Sequence, residues 1–254
     1  MMCMLWASIG SLLCGGQGRG SLPECASSVS DYVARLVASV PDATRSSAAV
    51  VLNAPFTLCE VEAALRKMHY GRMAGPDGLK GELFKGAYIE VRLSDGKVKH
   101  EFVLCEELLT LLSAAFKSGQ IPEDWCAALL VAVFKKGDAS NLDNYRGIAA
   151  GCALGKLFSL ILDARLSGFC EQYGIRAKGQ AGFRHGRRTS DHVFILKHLI
   201  DKYRSSRKHL YVCFIDFKKA YDSVRHDLLM RCLADIGLHG EMLTALASMY
   251  WQPP

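Results

Sequence analysis

No two of the ten cysteines stand at C-x-x-C spacing, and they scatter from Cys3 to Cys232 through 254 residues. The spacing excludes a zinc site built from pairs of ligands on short turns, and the scatter excludes a small Cys-dense scaffold held by disulfides. Reduced, mostly buried thiols in an intracellular protein are expected instead. No internal repeat, collagen period, coiled-coil array or low-complexity tract occurs. The apolar opening MMCMLWASIGSLLC has no charged n-region, is too short to span a bilayer and runs into Gly15, Gly16, Gly18 and Gly20. Neither a signal peptide nor a membrane span is expected from it.

What is present is a composition of 50% hydrophobic and 22% charged residues, enough for one or two globular domains with a sizeable core. Charge is unevenly placed. Up to Cys126 there are 12 basic and 14 acidic residues, and from Ala127 onward 19 basic and 11 acidic, so the C-terminal half calls for an anionic partner.

Residues 1–55 form a poorly defined flank with one candidate helix over Ser30 to Val40, ended by Pro41. From Phe56 the punctuation sharpens. Thr57 and Glu60 have capping-box spacing, Val61, Leu65 and Met68 repeat at helical intervals, and Gly71 can close that helix. A turn is expected at Gly75-Pro76-Asp77-Gly78, an insertion over the polar Ser94 to His100, and a helix over Val103 to Lys117 ended by Gly119 and Pro122. Ala127 to Phe134 and Tyr145 to Ala149 read as a strand hairpin around the polar loop Gly137 to Asn144. Helices are expected over Leu154 to Cys170, Thr189 to Arg204, Asp227 to Ile236 and Glu241 to Tyr250. Leu210 to Phe217, apolar almost throughout, reads as a strand covered on both faces. Segregated helices and hairpin strands argue an α+β fold.

Three features carry chemistry. Phe214-Ile215-Asp216-Phe217 ends an apolar run in a carboxylate, costly there unless paired, hydrogen-bonded or bound to a cation. Taken alone, an Asp in such a place is more often a turn or a helix cap. Lys135, Lys136 and Arg146 lie on the hairpin arms, where they could fold over a triphosphate or form a solvated basic turn; Arg suits phosphate because its planar fork grips two oxygens. Residues 176–208 hold ten basic and two acidic side chains. Interleaved with Phe183, Phe194 and Tyr203, they fit a surface that tracks a nucleic-acid backbone, although Phe194 and Tyr203 are expected to belong to the core. His185 and His226 lack a partner at ligand spacing and read as surface or packing residues.

The order of these features resembles the reverse transcriptase domain of non-LTR (LINE-type) retrotransposons from about Phe56 to Pro254. Four blocks carry the likeness: FTLCEVEAALRKMHYGRMAGPDGLKGELFK, GQIPEDWCAALLVAVFKKGDASNLDNYRGIAAGCALGKLFSLILDARL, GQAGFRHGRRTSDHVFILKHLI and FIDFKKAYDSV. The resemblance implies the fingers and partial palm of a right-hand polymerase. By it, Asp216 is the first metal-binding carboxylate and the catalytic residue, with the Phe217 carbonyl a further oxygen ligand. Tyr221 lies under the sugar of the incoming nucleotide and obstructs a 2′-hydroxyl. Arg146 and one of Lys135 or Lys136 contact the triphosphate, and Arg184, Arg187 and Arg188 face template and duplex. The implied partners are an RNA template, a DNA primer and deoxynucleotide triphosphates, and the implied location is cytoplasm or nucleus. The implied cofactor is Mg²⁺, two ions about 3.5 to 4 Å apart on the attacking and leaving oxygens.

The family completes its metal site with an Asp-Asp pair, and no Asp-Asp dipeptide occurs in this sequence, which stops 38 residues after Asp216. Asp222 is expected to cap or form a salt bridge rather than replace that pair. The expectation is therefore a truncated copy, a reading frame cut short or a degenerate element, inactive alone, with an unpaired sheet edge, exposed apolar surface and poor solubility. The competing readings are a non-catalytic basic binder of RNA or DNA and a remnant without a selected role.

Overall fold

A computed structural model describes residues 28–40, 49–92, 94–217, 220 and 223–251. The apolar opening segment, Pro41, Tyr221 and Asp222 lie outside the described residues.

Helix α1 (Val29–Ala38) starts where the Ser28 hydroxyl accepts the Asp31 N–H at 3.1 Å, and it buries Val29, Val33 and Leu36. After the short α2 (Ala49–Leu52), helix α3 (Leu58–Lys67) opens on the expected capping box. The Glu60 N–H donates to Thr57 Oγ1, and the Thr57 N–H donates to the Glu60 carboxylate at 2.9 Å. This helix stops at its Met68 cap, three residues before Gly71, which takes its left-handed φ of 69° in the following turn. The Gly75–Gly78 turn forms, closed by the Gly78 N–H on the Gly75 carbonyl at 3.1 Å, and leads into α4 (Gly81–Lys85).

The stretch expected to be an insertion forms the turn and much of the second arm of a hairpin. Strand β1 (Tyr88–Arg92) pairs antiparallel with β2 (Val98–Phe102), from Tyr88 opposite Phe102 to Arg92 opposite Val98. Asp95-Gly96 makes the turn, with Gly96 at φ 81° and the Lys97 N–H on the Asp95 carboxylate. This is the Asp-Gly signal that favours tight hairpins, and it outweighs the polarity of the stretch.

Helix α5 (Cys105–Ser118) ends on Gly119 in the left-handed conformation, as expected. Then come α6 (Glu123–Cys126), the expected hairpin of β3 (Ala128–Phe134) and β4 (Tyr145–Gly151), and the long α7 (Ala153–Gln172). Helices α8 (Thr189–Ser205), α9 (His226–Asp235) and α10 (Gly240–Tyr250) follow within a residue or two of expectation. The content is mixed helix and sheet, with helices dominating and two separate two-stranded sheets among the described residues.

The core is helical. Leu157, Phe158, Ile161, Leu162 and Leu166 of α7 are fully buried, against α3 and α6, while α10 packs on α1, α5 and α9. Phe158 lies against Phe56 and Trp125 with ring centroids 6.0 and 5.5 Å apart, and Phe56 meets Phe116 at 4.5 Å. Gly155 makes the close approach of α7 to α6 feasible, since a Cβ there would stand 2.4 Å from the Trp125 carbonyl oxygen. Arg165 on α7 reaches back across more than a hundred residues. Its largely buried guanidinium grips Glu60 at 2.6 and 2.9 Å, donates to the carbonyls of Leu52, Ala54 and Pro55, and lies 4.6 Å from the Phe56 ring centroid.

None of the seven cysteines among the described residues forms a disulfide, and five of them are buried or half-buried. Burial pushes the Cys170 thiol up to about 11, and raises Cys105, Cys152 and Cys232 as well, which keeps these thiols protonated.

Two expectations are overturned. Phe194 and Tyr203 are not core: no residue of α8 is buried, and Phe194 is 71% exposed. Leu210–Phe217 is not a covered strand but irregular chain without a sheet partner among the described residues, with Phe214 82% and Ile215 79% exposed. The reason is shared. An apolar periodicity is buried only when another layer covers it, and a central strand needs paired neighbours.

Candidate functional site

The β3–β4 hairpin is set by its register. Val133 faces Arg146 and Phe134 faces Tyr145, and the Lys135 N–H extends the ladder to the Asn144 carbonyl at 2.8 Å. Alternation along the strands puts Lys135 and Arg146 on one face of the hairpin, while Lys136 lies in the bend just beyond the paired residues. All three side chains are exposed, and none forms a salt bridge among the described residues. The loop is held from within. Asp138 accepts the Ser140 N–H and hydroxyl at 2.9 and 2.8 Å, which hold its carboxyl below the usual range. Asn144 Nδ2 donates to the Asp138 carbonyl, and the Tyr145 hydroxyl donates to that of Ala139. The apolar arms are open to solvent, Leu130 being 77% exposed.

The three arginines of the basic turn divide. Arg184 is committed to the protein: its guanidinium forks onto Glu171 at 2.9 and 2.6 Å and donates to the carbonyls of Ala177 and Gln180. Arg176, buried, shares the same Glu171 carboxylate and also reaches Ser167. The hydrogen bond from Arg184, ahead of that from Arg176, holds the Glu171 carboxyl below its usual range. These contacts tie the turn to the end of α7. Arg187 and Arg188 are exposed, and the Arg188 N–H donates to the Asp191 carboxylate at the start of α8.

Asp216 and Phe217 sit on the exposed irregular segment. Neither a hydrogen bond nor a salt bridge connects Asp216, the hairpin cations and the basic turn among the described residues. No group of three or more His, Cys, Asp or Glu among the described residues could hold a metal ion. His185 is exposed, while His226 packs 4.8 Å from the Tyr250 ring, where burial lowers its pKa and Asp227 partly offsets that. No helix is long and apolar enough to cross a membrane among the described residues.

Sequence reasoning missed Arg165, whose partners lie too far along the chain to show as a local pattern, and a groove beside β1 and β2. That groove, of about 650 Å³, is lined by Arg66, Tyr70, Lys85, Tyr88, His100 and Phe102, with Val98 at its edge. The Asp95-Gly96 turn between alternating apolar residues was the available signal.

Residues 133–252 match the family described as reverse transcriptase (RNA-dependent DNA polymerase), a span running from the end of β3 through Asp216 to the last helix. Among similar proteins, the transposon TX1 uncharacterized 149 kDa protein of Xenopus laevis is 27% identical over 199 residues, 78% of this chain and 14% of the relative. The putative 115 kDa protein of the type-1 retrotransposable element R1DM of Drosophila melanogaster is 26% identical, over 70% of this chain and 16% of the relative. The retrovirus-related Pol polyprotein from the type-1 retrotransposable element R2 of Popillia japonica is 31% identical over 120 residues, 47% of this chain and 16% of the relative. The chain thus spans about one-sixth or less of the length of these relatives. Lys135, Lys136, Arg146, the basic turn and the Asp216 segment all lie inside the matched span, over which the chain is similar to reverse transcriptase domains and to proteins of LINE-type, non-LTR retrotransposable elements.

Proposed function

We propose that this chain supplies the fingers and the first part of the palm of an RNA-directed DNA polymerase acting in cytoplasm or nucleus, with residues 56–254 as that partial domain. The carrying observation is the family match over residues 133–252, which takes in all three chemical features in one run. Lys135 and Arg146, exposed on one face of the hairpin, grip the triphosphate of an incoming deoxynucleotide; Lys136, in the bend beyond the paired strands, is the alternative to Lys135. Arg187 and Arg188 run along the backbone of the RNA template and DNA primer. Arg184 positions that turn through Glu171 instead of touching nucleic acid. Tyr221 obstructs a 2′-hydroxyl, selecting deoxynucleotides.

The Asp216 carboxylate, exposed, and the Phe217 carbonyl are hard oxygen donors of the kind Mg²⁺ takes together with substrate phosphates. Bound Mg²⁺ would neutralise charge on the attacking and leaving oxygens. One carboxylate is a first ligand and not a two-ion site, and these 254 residues hold no Asp-Asp pair. This polypeptide by itself is therefore expected to bind primer and template without extending them.

Primer extension on an RNA template with Mg²⁺ and deoxynucleotides tests this. Incorporation that disappears in Asp216→Asn would overturn the inactivity of the isolated chain and leave the polymerase reading standing. Binding tests the rest: affinity for a primer–template should fall steeply with salt, and Arg187→Ala or Arg188→Ala should each lower the slope by about one. A salt-independent affinity would refute the basic surface. A non-catalytic binder would show the same salt slope, with triphosphate binding unaffected by Arg146→Ala.

A further inference from the structure

We propose that the groove between the β1–β2 hairpin and helices α3 and α4 binds an unpaired nucleic-acid strand, stacking a base on Tyr88 and Tyr70 with the adjoining phosphate at Lys85 and Arg66. It rests on the nucleic-acid reading above but uses none of the same residues.

The antiparallel register opposes Tyr88 to Phe102 and Glu90 to His100, so one hairpin face carries Tyr88, His100 and Phe102 together. Tyr88 and His100 stack at 4.2 Å and 16°, and Phe102, packed on the core, meets Tyr88 edge-on at 6.5 Å. Across the groove Tyr70 is 57% exposed. The cations are held in place before any ligand arrives. The Lys85 ammonium donates to the carbonyls of Arg66 and Met68 and sits 5.0 Å from the Tyr70 ring centroid. Arg66 lies 5.6 Å from the Phe102 centroid and is oriented by Glu62 at 2.8 Å.

The occupant follows from this chemistry. Rings open to solvent beside fixed cations match the alternation of base and phosphate along a single strand, and aromatic stacking accepts any base. Local charge agrees: Arg66 to Arg92 hold six basic and three acidic residues, within a half of the chain that is net acidic. The volume of about 650 Å³ lies inside the range of about 300–1,000 Å³ usual for ligand clefts and admits a nucleotide.

The test measures binding of fluorescein-labelled U12 RNA to the full chain by anisotropy, beside an abasic strand of equal length. Tyr88→Ala and Tyr70→Ala should each weaken U12 binding about five- to a hundredfold and leave the abasic strand unaffected. Tyr70 is an exposed side chain, so its loss leaves the fold intact, and far-ultraviolet circular dichroism confirms this for both variants. Unchanged U12 affinity in both variants, or equal parent affinity for the two strands, overturns the proposal. Photo-crosslinking with 4-thiouridine RNA gives a second readout. Adducts on residues 66–102 support the groove, whereas adducts confined to residues 176–208 refute it and leave the polymerase reading standing.

Discussion

Replacing Arg165 by Met should loosen the α3–α7 junction, because one guanidinium there serves five acceptor atoms. It makes two contacts to Glu60 and one each to the carbonyls of Leu52, Ala54 and Pro55. Breaking a buried ion pair by removing one partner costs about 3–5 kcal/mol, because the other charge is left uncompensated. Glu60 keeps 27% of its side chain in water against 9% for Arg165, so solvent takes up part of the loss and the lower end, about 3 kcal/mol, applies. With a urea m-value of about 2 kcal/mol/M, the midpoint should fall by about 1.5 M. Glu60→Gln keeps the capping geometry and removes the charge, so the double variant should be less destabilised than the sum of the singles. A midpoint shift under about 0.3 M with an unchanged m-value would refute the reasoning. The pH dependence has a definite sign. Burial alone would raise Glu60, but hydrogen bonds from Arg165 and Thr57 hold it below its usual value. Its contribution is full above the ordinary carboxylate pKa of about 4.3 and is lost as pH falls through the lowered folded value, a limb that Arg165→Met should flatten.

Gly155→Ala should cost about 1–3 kcal/mol by driving α7 away from the Trp125 carbonyl, read as a lower thermal midpoint; a neutral result would mean the two helices slide freely. Burial depresses His226, so the fold should lose stability as pH drops below about 6.5, and His226→Phe should remove that dependence in denaturation curves recorded from pH 8 to 5. The exposed Tyr211 to Phe217 segment should drive self-association, and Phe214→Ser with Ile215→Thr should reduce light scattering on concentration without altering helical content. Persistence of the scattering would point to the β3–β4 arms instead.

What was legible in the sequence was local. Thr57 and Glu60 are three residues apart and settle their helix start between themselves, and Gly119 stops α5 by its own backbone. The β3–β4 pairing likewise followed from two apolar runs and a polar loop. Arg165 was illegible because nothing near it in sequence marks its partners, which become neighbours only once α3 and α7 pack. Periodicity misled at α8 and at Leu210–Phe217, since it records what a segment could bury and not whether another layer is there to cover it. Of the candidate site, motif order named the candidate residues. The division of labour among Arg184, Arg187 and Arg188 was not readable there, because it depends on Glu171 at the far end of another helix.

The β3–β4 hairpin is joined to the core at its base, where Gly75 lets the preceding turn come so near that a Cβ would stand 2.6 Å from the Cys152 amide nitrogen. Its seven-residue strands, at about 3.3 Å per residue, form a lever some ~23 Å long with Lys135 near the tip. Because the loop is braced internally, a tilt of about 10° at the foot sweeps that tip through about 4 Å with the ladder unbroken. The crowding that a side chain at position 75 would cause at the foot of the hairpin would therefore be magnified at the cations.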